Sequence, residues 1–203
     1  MARLWANSTR SADADALALS ADRFVALDFE TADYGRDSAC AVGLIRVEGD
    51  RIVDRVTRLI RPPRRRFVFT ALHGIAWEDV AGEPPFAGVW ADLEPFLDGA
   101  QFLVAHHAPF DRGVLRACCA DAGLAPPDLP FACTVRWARR TFDLRPANLP
   151  AVCRYLCIAL RHHDPGSDAE ACARIMVAVR QEWREGGAGA LRAAAPRGRR
   201  RDA

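Results

Sequence analysis

The sequence contains no lysine, so its 28 basic residues are all arginine. They exceed the 26 acidic residues by only two, and net charge therefore says little about a nucleic-acid partner. No uninterrupted apolar run approaches the roughly 20 residues that a membrane-spanning helix needs, and the first residues do not resemble a secretion signal. We therefore expect a cytoplasmic protein with no membrane partner.

Paired CxxC spacing is also missing, and the seven cysteines are an odd number. These two facts argue against a disulfide framework and against a zinc knuckle. The 203 residues suffice for one well-buried domain, and 50% hydrophobic with 27% charged residues is a globular composition. We predict a mobile N-terminal tail over residues 1–22, one catalytic domain over residues 23–185, and a Gly-, Ala- and Arg-rich tail over residues 186–203.

Apolar runs and turn residues predict an α/β fold. Strands are expected at residues 24–27, 39–47 and 51–60, with a hairpin turn at Gly49-Asp50. Helical spacing follows at residues 86–97, 111–122, 135–141, 149–156 and 168–183, with further strands at 101–105 and 131–134. A hairpin of strands followed by alternating helices and strands predicts three layers, in which helices flank a mixed central sheet. We expect the first three strands of this sheet to be antiparallel and the later strands to be parallel.

Acidic side chains occur where this pattern places them on inward faces. Asp28 and Glu30 end the first strand, and side chains two positions apart on a strand share a face. Asp111 shares a helix face with Val114 and Leu115, although it could instead be an N-cap. Asp168 lies on the apolar face of the last helix, where an interaction with the helix dipole is the alternative explanation.

Capping of the last helix does not require Asp168, because Ser167 and Glu170 form a capping-box pattern. The preceding loop contains two adjacent histidines, His162 and His163, and a Pro-Gly pair that keeps it irregular. A lone histidine is more often a surface or core residue than a catalyst, so either histidine taken alone is weak evidence.

Carboxylates gathered in one pocket would repel one another unless divalent cations neutralised them. Oxygen ligands suit Mg²⁺ or Mn²⁺, and two such ions would clamp a phosphodiester for in-line displacement. A nearby histidine would then act as the general base near neutral pH. A zinc site built on the histidine pairs is a rival, but adjacent histidines on a strand point to opposite faces.

Three segments in this order resemble the motifs of DEDDh 3′→5′ exonucleases, especially those similar to the proofreading epsilon subunit of bacterial DNA polymerase III. The segments are residues 28–31 (Asp-Phe-Glu-Thr), residues 107–111 (His-Ala-Pro-Phe-Asp), and His163 with Asp168. The resemblance covers roughly residues 24–179 and implies a ribonuclease H-like fold, two Mg²⁺ or Mn²⁺ ions, and release of nucleoside 5′-monophosphates from single-stranded 3′ ends.

By this resemblance four acids are the metal ligands, His163 is the base and three residues lie near the substrate. The acids are Asp28, Glu30, Asp111 and Asp168, and the substrate residues are Thr31, His73 and Phe110. The sequence departs from the family at His107, where relatives usually have asparagine. We hypothesise that His107 supports a metal-site acid by hydrogen bonding.

Two functions besides DNA trimming remain open at this point. One is an exoribonuclease, since the metal site acts on the phosphodiester and does not distinguish ribose from deoxyribose. The other is a catalytically weak module that binds nucleic acid or associates with a polymerase, which the arginine-rich segment 197–201 would favour. This second interpretation would bring a polymerase or repair partner, although no element that would bind one is recognisable.

Overall fold

A computed structural model describes residues 15–186 of the chain. Five strands form one sheet: β1 (Arg23–Thr31), β2 (Ala39–Glu48), β3 (Arg51–Leu59), β4 (Phe102–Ala105) and β5 (Phe131–Cys133). The helices are α1 (15–20 as described), α2 (Thr70–His73), α3 (Trp77–Val80), α4 (Phe86–Leu93), α5 (Pro109–Asp121), α6 (Thr134–Phe142), α7 (Leu149–Tyr155) and α8 (Pro165–Glu185). A 3₁₀ turn, Glu94–Leu97, follows α4.

The sheet has the order β3-β2-β1-β4-β5, in which β1 pairs antiparallel with β2 and parallel with β4. The pair β2-β3 is antiparallel and the pair β4-β5 is parallel. This confirms the predicted mixed sheet with three antiparallel strands followed by parallel ones. Because β1, β4 and β5 run in the same direction, their carboxyl ends meet at one edge of the sheet.

Side chains of β1 alternate between two hydrophobic cores, one on each face of the sheet. Phe24 and Ala26 pack with residues of α6, α7 and α8, whereas Val25, Leu27 and Phe29 pack with residues of α4 and α5. Both faces of this central strand are therefore covered, as the three-layer prediction requires. The alternation continues to the end of the strand, so the even-numbered positions 28 and 30 face the α8 layer.

Several local predictions need correction. Two short helices that the sequence did not predict, α2 and α3, lie between β3 and α4. The helix predicted over residues 86–97 changes to a 3₁₀ turn at Glu94, because Pro95 lacks the amide that would continue the α-helical ladder. Helix α8 begins at Pro165, three residues before the predicted start, since Asp164 and not Ser167 is its N-cap. The Asp164 carboxylate accepts a hydrogen bond from the Ser167 amide at 2.8 Å.

Part of the expected N-terminal tail packs on the domain. Residues 15–20 are helical, and Ala18 is fully buried in the α8-side core. Residues 1–14 and nearly all of the expected C-terminal tail, including the arginine-rich segment 197–201, lie outside the described residues. The remaining domain boundaries stay predictions. Within residues 15–186, no helix is both long and apolar enough to cross a membrane.

Candidate active site

The first two acids of the candidate site lie within β1. The strand continues through Asp28 and Glu30 to Thr31, whereas the sequence predicted that the acids end it. Both carboxylates project from the face that α8 covers, while Phe29 between them packs in the opposite core. The predicted separation of the acids from the intervening phenylalanine is therefore confirmed.

Close contact between α8 and β2 places Asp168 beside these acids. Gly43 pairs with Asp28 across the ladder, and a Cβ atom at Gly43 would lie only 2.2 Å from the backbone oxygen of Pro165. The first turn of α8 thus rests directly on β2, because position 43 has no side chain. As a result, carboxylate oxygens of Asp28, Glu30 and Asp168 lie within 4.8 Å of one another.

We predict that Gly43→Ala lowers both stability and activity. The atoms it would meet are backbone atoms of Pro165 and Gly166, so relief requires a shift of α8 and hence of Asp168. Overpacking of this kind costs about 1–3 kcal/mol of unfolding free energy, and misplacing a site residue by ~1 Å can cost about 100-fold in rate. Gly82→Ala is the matched control, since nothing lies within 4 Å of a Cβ there. Equal stability and activity of the two variants would contradict this account of Gly43.

Asp111 reaches the site from the other side of the sheet. It lies in the first turn of α5, which begins directly after β4 at the carboxyl edge, and it is buried. Its Oδ1 accepts a hydrogen bond from the Phe29 amide at 3.1 Å. The alternative that Asp111 is an N-cap is wrong: the cap position is Ala108, which has no capping side chain.

Burial and mutual repulsion disfavour the charged forms of these carboxyls. Burial raises the pKa of Asp28 well above its usual range, with further contributions from Asp111, Asp168 and Glu30. Burial, followed by repulsion from Asp168 and Asp111, raises the pKa of Glu30 to about 8. Burial also raises the pKa of Asp111 to about 7 and that of Asp168 above its ordinary value.

The donor set fits hard divalent cations. All four groups offer oxygen atoms, which Mg²⁺ and Mn²⁺ prefer. Oδ1 of Asp168 is buried and has no hydrogen-bond partner among residues 15–186, although buried carboxylate oxygens are ordinarily satisfied. A cation beside this atom would supply the missing interaction and would relieve the repulsion that, in addition to burial, raises the pKa values of Asp28 and Glu30.

These pKa shifts predict a pH dependence of stability. Groups whose pKa is raised in the folded state hold protons that the unfolded chain has lost, so the free energy of unfolding should fall as pH rises from about 4.5 to about 8. We expect the melting temperature in EDTA to be lower at pH 8 than at pH 5 by at least about 3 °C, equivalent to roughly 1 kcal/mol for a domain of this size. Mg²⁺ should raise the melting temperature more at pH 8 than at pH 5. The variant Glu30→Gln, measured alongside, should show a shallower decline, and an equally steep one would contradict this origin of the pH dependence.

Both adjacent histidines lie at the site, whereas the resemblance assigns only one. The amide of His163 donates to Oδ2 of Asp168 at 3.0 Å, and its ring Nδ1 lies 4.0 Å from Oε1 of Glu30. His162 Nδ1 pairs with the same Asp168 oxygen at 2.8 Å, and the two rings stack at 3.8 Å. Burial and the neighbouring His162 lower the pKa of His163, which favours its neutral form.

His73 is tied to the backbone at both ring nitrogens. The Ile75 amide donates to Nδ1 at 3.1 Å, so Nε2 carries the hydrogen and donates to the Thr31 carbonyl oxygen at 3.2 Å. Gly74 follows with a left-handed backbone, φ 79°, which ends α2. His73 therefore anchors the turn after α2 to the end of β1. Because both ring nitrogens are hydrogen-bonded to the backbone, His73 is not placed to act as a general base.

Next to the acids lies a pocket of about 410 Å³ with an apolar wall. Phe110 from α5 and Leu72 from α2 are partly exposed and form this wall with Phe69. Thr31 also lines the pocket, together with the acids Asp28, Glu30 and Asp168. Two of the residues expected near the substrate, Thr31 and Phe110, thus line the same pocket as the acids, whereas His73 supports it from behind.

Further pocket residues were not assigned from the sequence. His106 is half-buried, its Nδ1 lies 2.8 Å from Oγ1 of Thr134, and burial lowers its pKa to about 4. Asn148 and Leu149 line the same pocket from the start of α7. The histidine next to the second motif was a visible signal for His106, but nothing local in the sequence indicates that the start of α7 reaches the site.

His107 does not support the carboxylates. It is exposed and lines a different cavity, between α5 and α6, while His106 lines the acidic pocket. Its φ of 68° lies in the left-handed region, which asparagine adopts more readily than most residues. This backbone conformation suits the asparagine that the family resemblance implies at position 107. The zinc rival loses support because His106 and His107 line separate cavities.

Comparisons with known proteins agree with this geometry. The RNase_T family, described as Exonuclease, matches residues 25–176. The chain is 31% identical over 160 residues to the DNA polymerase III PolC-type of Clostridium perfringens (strain 13 / Type A), which is 76% of this chain and 11% of that protein. It is 30% identical over 175 residues to the 3′-5′ exonuclease DinG of Bacillus subtilis (strain 168), which is 82% of this chain and 18% of that protein.

Solved structures with the same fold include two nucleases. The nuclease domain of 3′hExo, a DEDDh family member bound to rAMP, has a TM-score of 0.69 at 18% identity, covering 79% of this chain and 92% of that chain. Exonuclease X in complex with 5′ overhanging duplex DNA has a TM-score of 0.62 at 23% identity, covering 78% and 90%. This chain spans less than a fifth of the length of the two relatives named above. The family match places the chain in the RNase_T exonuclease family, and the two solved structures show that it has the fold of known nucleases.

Proposed function

We propose that the domain removes nucleotides one at a time from the 3′ end of single-stranded DNA. The observation that carries this proposal is the convergence of the Asp28, Glu30 and Asp168 carboxyls and His163 at a pocket with an apolar wall. The charge of Asp111 is close enough to raise the pKa of Asp28. The similarity to a PolC-type DNA polymerase III and to the 3′-5′ exonuclease DinG favours DNA as the substrate and 3′→5′ as the direction. The rAMP bound to the related nuclease domain keeps RNA as the second candidate.

Asp28, Glu30, Asp111 and Asp168 are proposed to hold two Mg²⁺ or Mn²⁺ ions. Their all-oxygen donors and the unpartnered Oδ1 of Asp168 support this assignment. Such ions would neutralise the carboxylates and the scissile phosphodiester and would make the attacking water more acidic. Activity that persists with Mg²⁺ in zinc-free buffer supports this cation class, and activity restored by Zn²⁺ alone contradicts it.

His163 is proposed as the general base. Its neutral form is favoured, so a ring nitrogen is available to accept a proton from the attacking water. The hydrogen bond from its own amide to Asp168 holds the residue at the edge of the acid cluster. His162, whose ring pairs directly with Asp168, is proposed to orient that carboxylate and not to accept the proton.

The apolar wall is proposed to hold the terminal nucleotide. Phe110, Leu72 and Phe69 present carbon surface against which a base can pack, and every base has a face suited to such contacts. This wall positions the last phosphodiester beside the acids, and Thr31 is near enough to contact the terminal nucleotide. His73 contributes indirectly, because it fixes the α2 turn that carries Leu72.

Two candidate substrates are separated by one experiment. Matched 5′-labelled single-stranded DNA and RNA oligonucleotides are incubated with Mg²⁺, and the released products are identified by chromatography. The proposal expects faster shortening of DNA, with nucleoside 5′-monophosphates as the product. Faster shortening of RNA would favour the exoribonuclease, and binding without shortening of either strand would favour the weak nucleic-acid-binding module.

A polymerase or repair partner remains part of the proposal, supported by the similarity to a PolC-type DNA polymerase III.

A further inference from the structure

A second cavity, of about 410 Å³, lies between α5, α6 and the loop that precedes β5. Four arginines surround it: Arg112 and Arg116 from α5, and Arg136 and Arg139 from α6. Nothing in the chemistry proposed above uses these residues. A cavity lined by four guanidinium groups is suited to an anion, since arginine pairs with phosphate through two parallel hydrogen bonds.

The charges around this cavity are incompletely balanced by the protein. Arg136 pairs with Asp15 at 2.7 Å. Over residues 15–186, Arg112, Arg116 and Arg139 have no carboxylate within ion-pair distance. Arg112 and Arg116 are four residues apart on one helix, so their like charges lie next to each other and repel. Burial and the neighbouring Arg116 lower the pKa of Arg112, which an anion at this place would reverse.

The rest of the lining includes Asp128 and His107 but is mainly apolar, which suits a flat group. Three prolines of residues 126–130 contribute, and Leu115, Phe131 and Val135 lie on the remaining sides. Carbon surface on one side with guanidinium groups on the other matches a nucleotide, whose base is apolar on its faces and whose phosphate is charged. Inorganic phosphate would use only half of this lining.

The cavity shares a wall with the acidic pocket. His106 and Phe110 line the acidic pocket, whereas the alternating neighbours His107 and Pro109 line the cavity. The junction between β4 and α5 therefore separates the two, and it is only a few residues long. A strand whose 3′ end lies among the acids can cross this junction within a short stretch of nucleotides.

We propose that the arginine-lined cavity binds a nucleotide of the substrate strand upstream of the scissile bond, with its phosphate on Arg112 and Arg116. This inference rests on the proposed exonuclease function and adds a second contact with the same strand. It predicts that long strands are preferred over dinucleotides, because only long strands occupy both places.

The test compares Arg112→Glu/Arg116→Glu with Arg51→Glu/Arg58→Glu in the full chain. The control pair makes the same change of charge on exposed positions of β3, at the opposite edge of the sheet from β5. The hydrolysis of a dinucleotide and of an oligonucleotide of about 20 residues is measured as kcat/KM over a range of salt concentrations. Thermal unfolding is followed in parallel, and Arg112→Gln/Arg116→Gln serves as a gentler variant if the charge reversal disturbs folding.

We expect kcat/KM for the long strand to fall at least about tenfold in the α5 variant, with the dinucleotide unchanged within about twofold. The slope of log kcat/KM against log salt concentration should become shallower by roughly 1.4, because each of two lost phosphate contacts to a single strand contributes about 0.7. Equal effects of the α5 and control variants would overturn the proposal. The proposal would also be overturned if the α5 variant differed from the wild type only in its inhibition by free nucleoside monophosphate. Failure of the wild type to cleave either substrate would instead contradict the proposed function.

Discussion

The substitution Asp28→Asn should abolish nuclease activity while making the cation-free protein more stable. Burial raises the pKa of Asp28, and the negative charges of Asp111, Asp168 and Glu30 raise it further. Asparagine keeps the shape but removes one negative charge from a partly buried cluster. We expect activity to fall by more than about 100-fold, beyond the 10- to 100-fold that outer contacts of metal sites typically contribute.

The same substitution should raise the melting temperature in EDTA at pH 8 by about 3 °C or more, because repulsion is relieved. Mg²⁺ should then stabilise the variant less than the wild type. Asp92→Asn, at an exposed position of α4, is the matched control and should change neither property. A variant that keeps its activity within tenfold, or that melts earlier in EDTA, would show that Asp28 is not part of a repulsive metal-binding cluster.

The second large effect is expected from the histidines, which the structure places side by side but in different contacts. His163→Gln should lower kcat by about 10²- to 10⁴-fold, the usual contribution of a general base. His162→Gln should lower it less, by about 10- to 100-fold, since this ring orients Asp168 through one hydrogen bond. Both variants should retain Mg²⁺-dependent thermal stabilisation, because the carboxylates remain.

Measurement of kcat against pH distinguishes the two roles. The wild type should lose activity as pH falls, because the base becomes protonated. The His162 variant should keep this acidic limb of the pH profile. The His163 variant should lose it. If the limb instead disappears in the His162 variant, the assignment by motif spacing is wrong and His162 is the base.

Sequence patterns predicted the sheet and the inward acids for definite physical reasons. Alternation along β1 separates Asp28 and Glu30 from Phe29, and this alternation depends only on strand geometry. The hairpin at Gly49-Asp50 follows from turn chemistry. Helix ends were less predictable: Ser167 and Glu170 match a capping box, but Pro165 suits the first helical position and lets Asp164 cap.

Features of the site that depend on tertiary approach could not be predicted. Gly43 resembles any other strand glycine until α8 is seen to rest on it. The contact between the His73 ring and the Thr31 carbonyl joins residues that are 42 positions apart. The arginine-lined cavity combines two helices and a loop, so no single segment of sequence carries its signal.

The most direct test of the account is the shortening of a 5′-labelled single-stranded DNA oligonucleotide by the wild type and by Asp28→Asn, with Mg²⁺ and with EDTA. The account predicts a ladder that descends by single nucleotides from the 3′ end for the wild type with Mg²⁺. It predicts no ladder in EDTA and none for Asp28→Asn. An unshortened strand with wild type and Mg²⁺, or an equal ladder from the variant, would contradict the central claim that these acids form the catalytic centre of a 3′→5′ exonuclease.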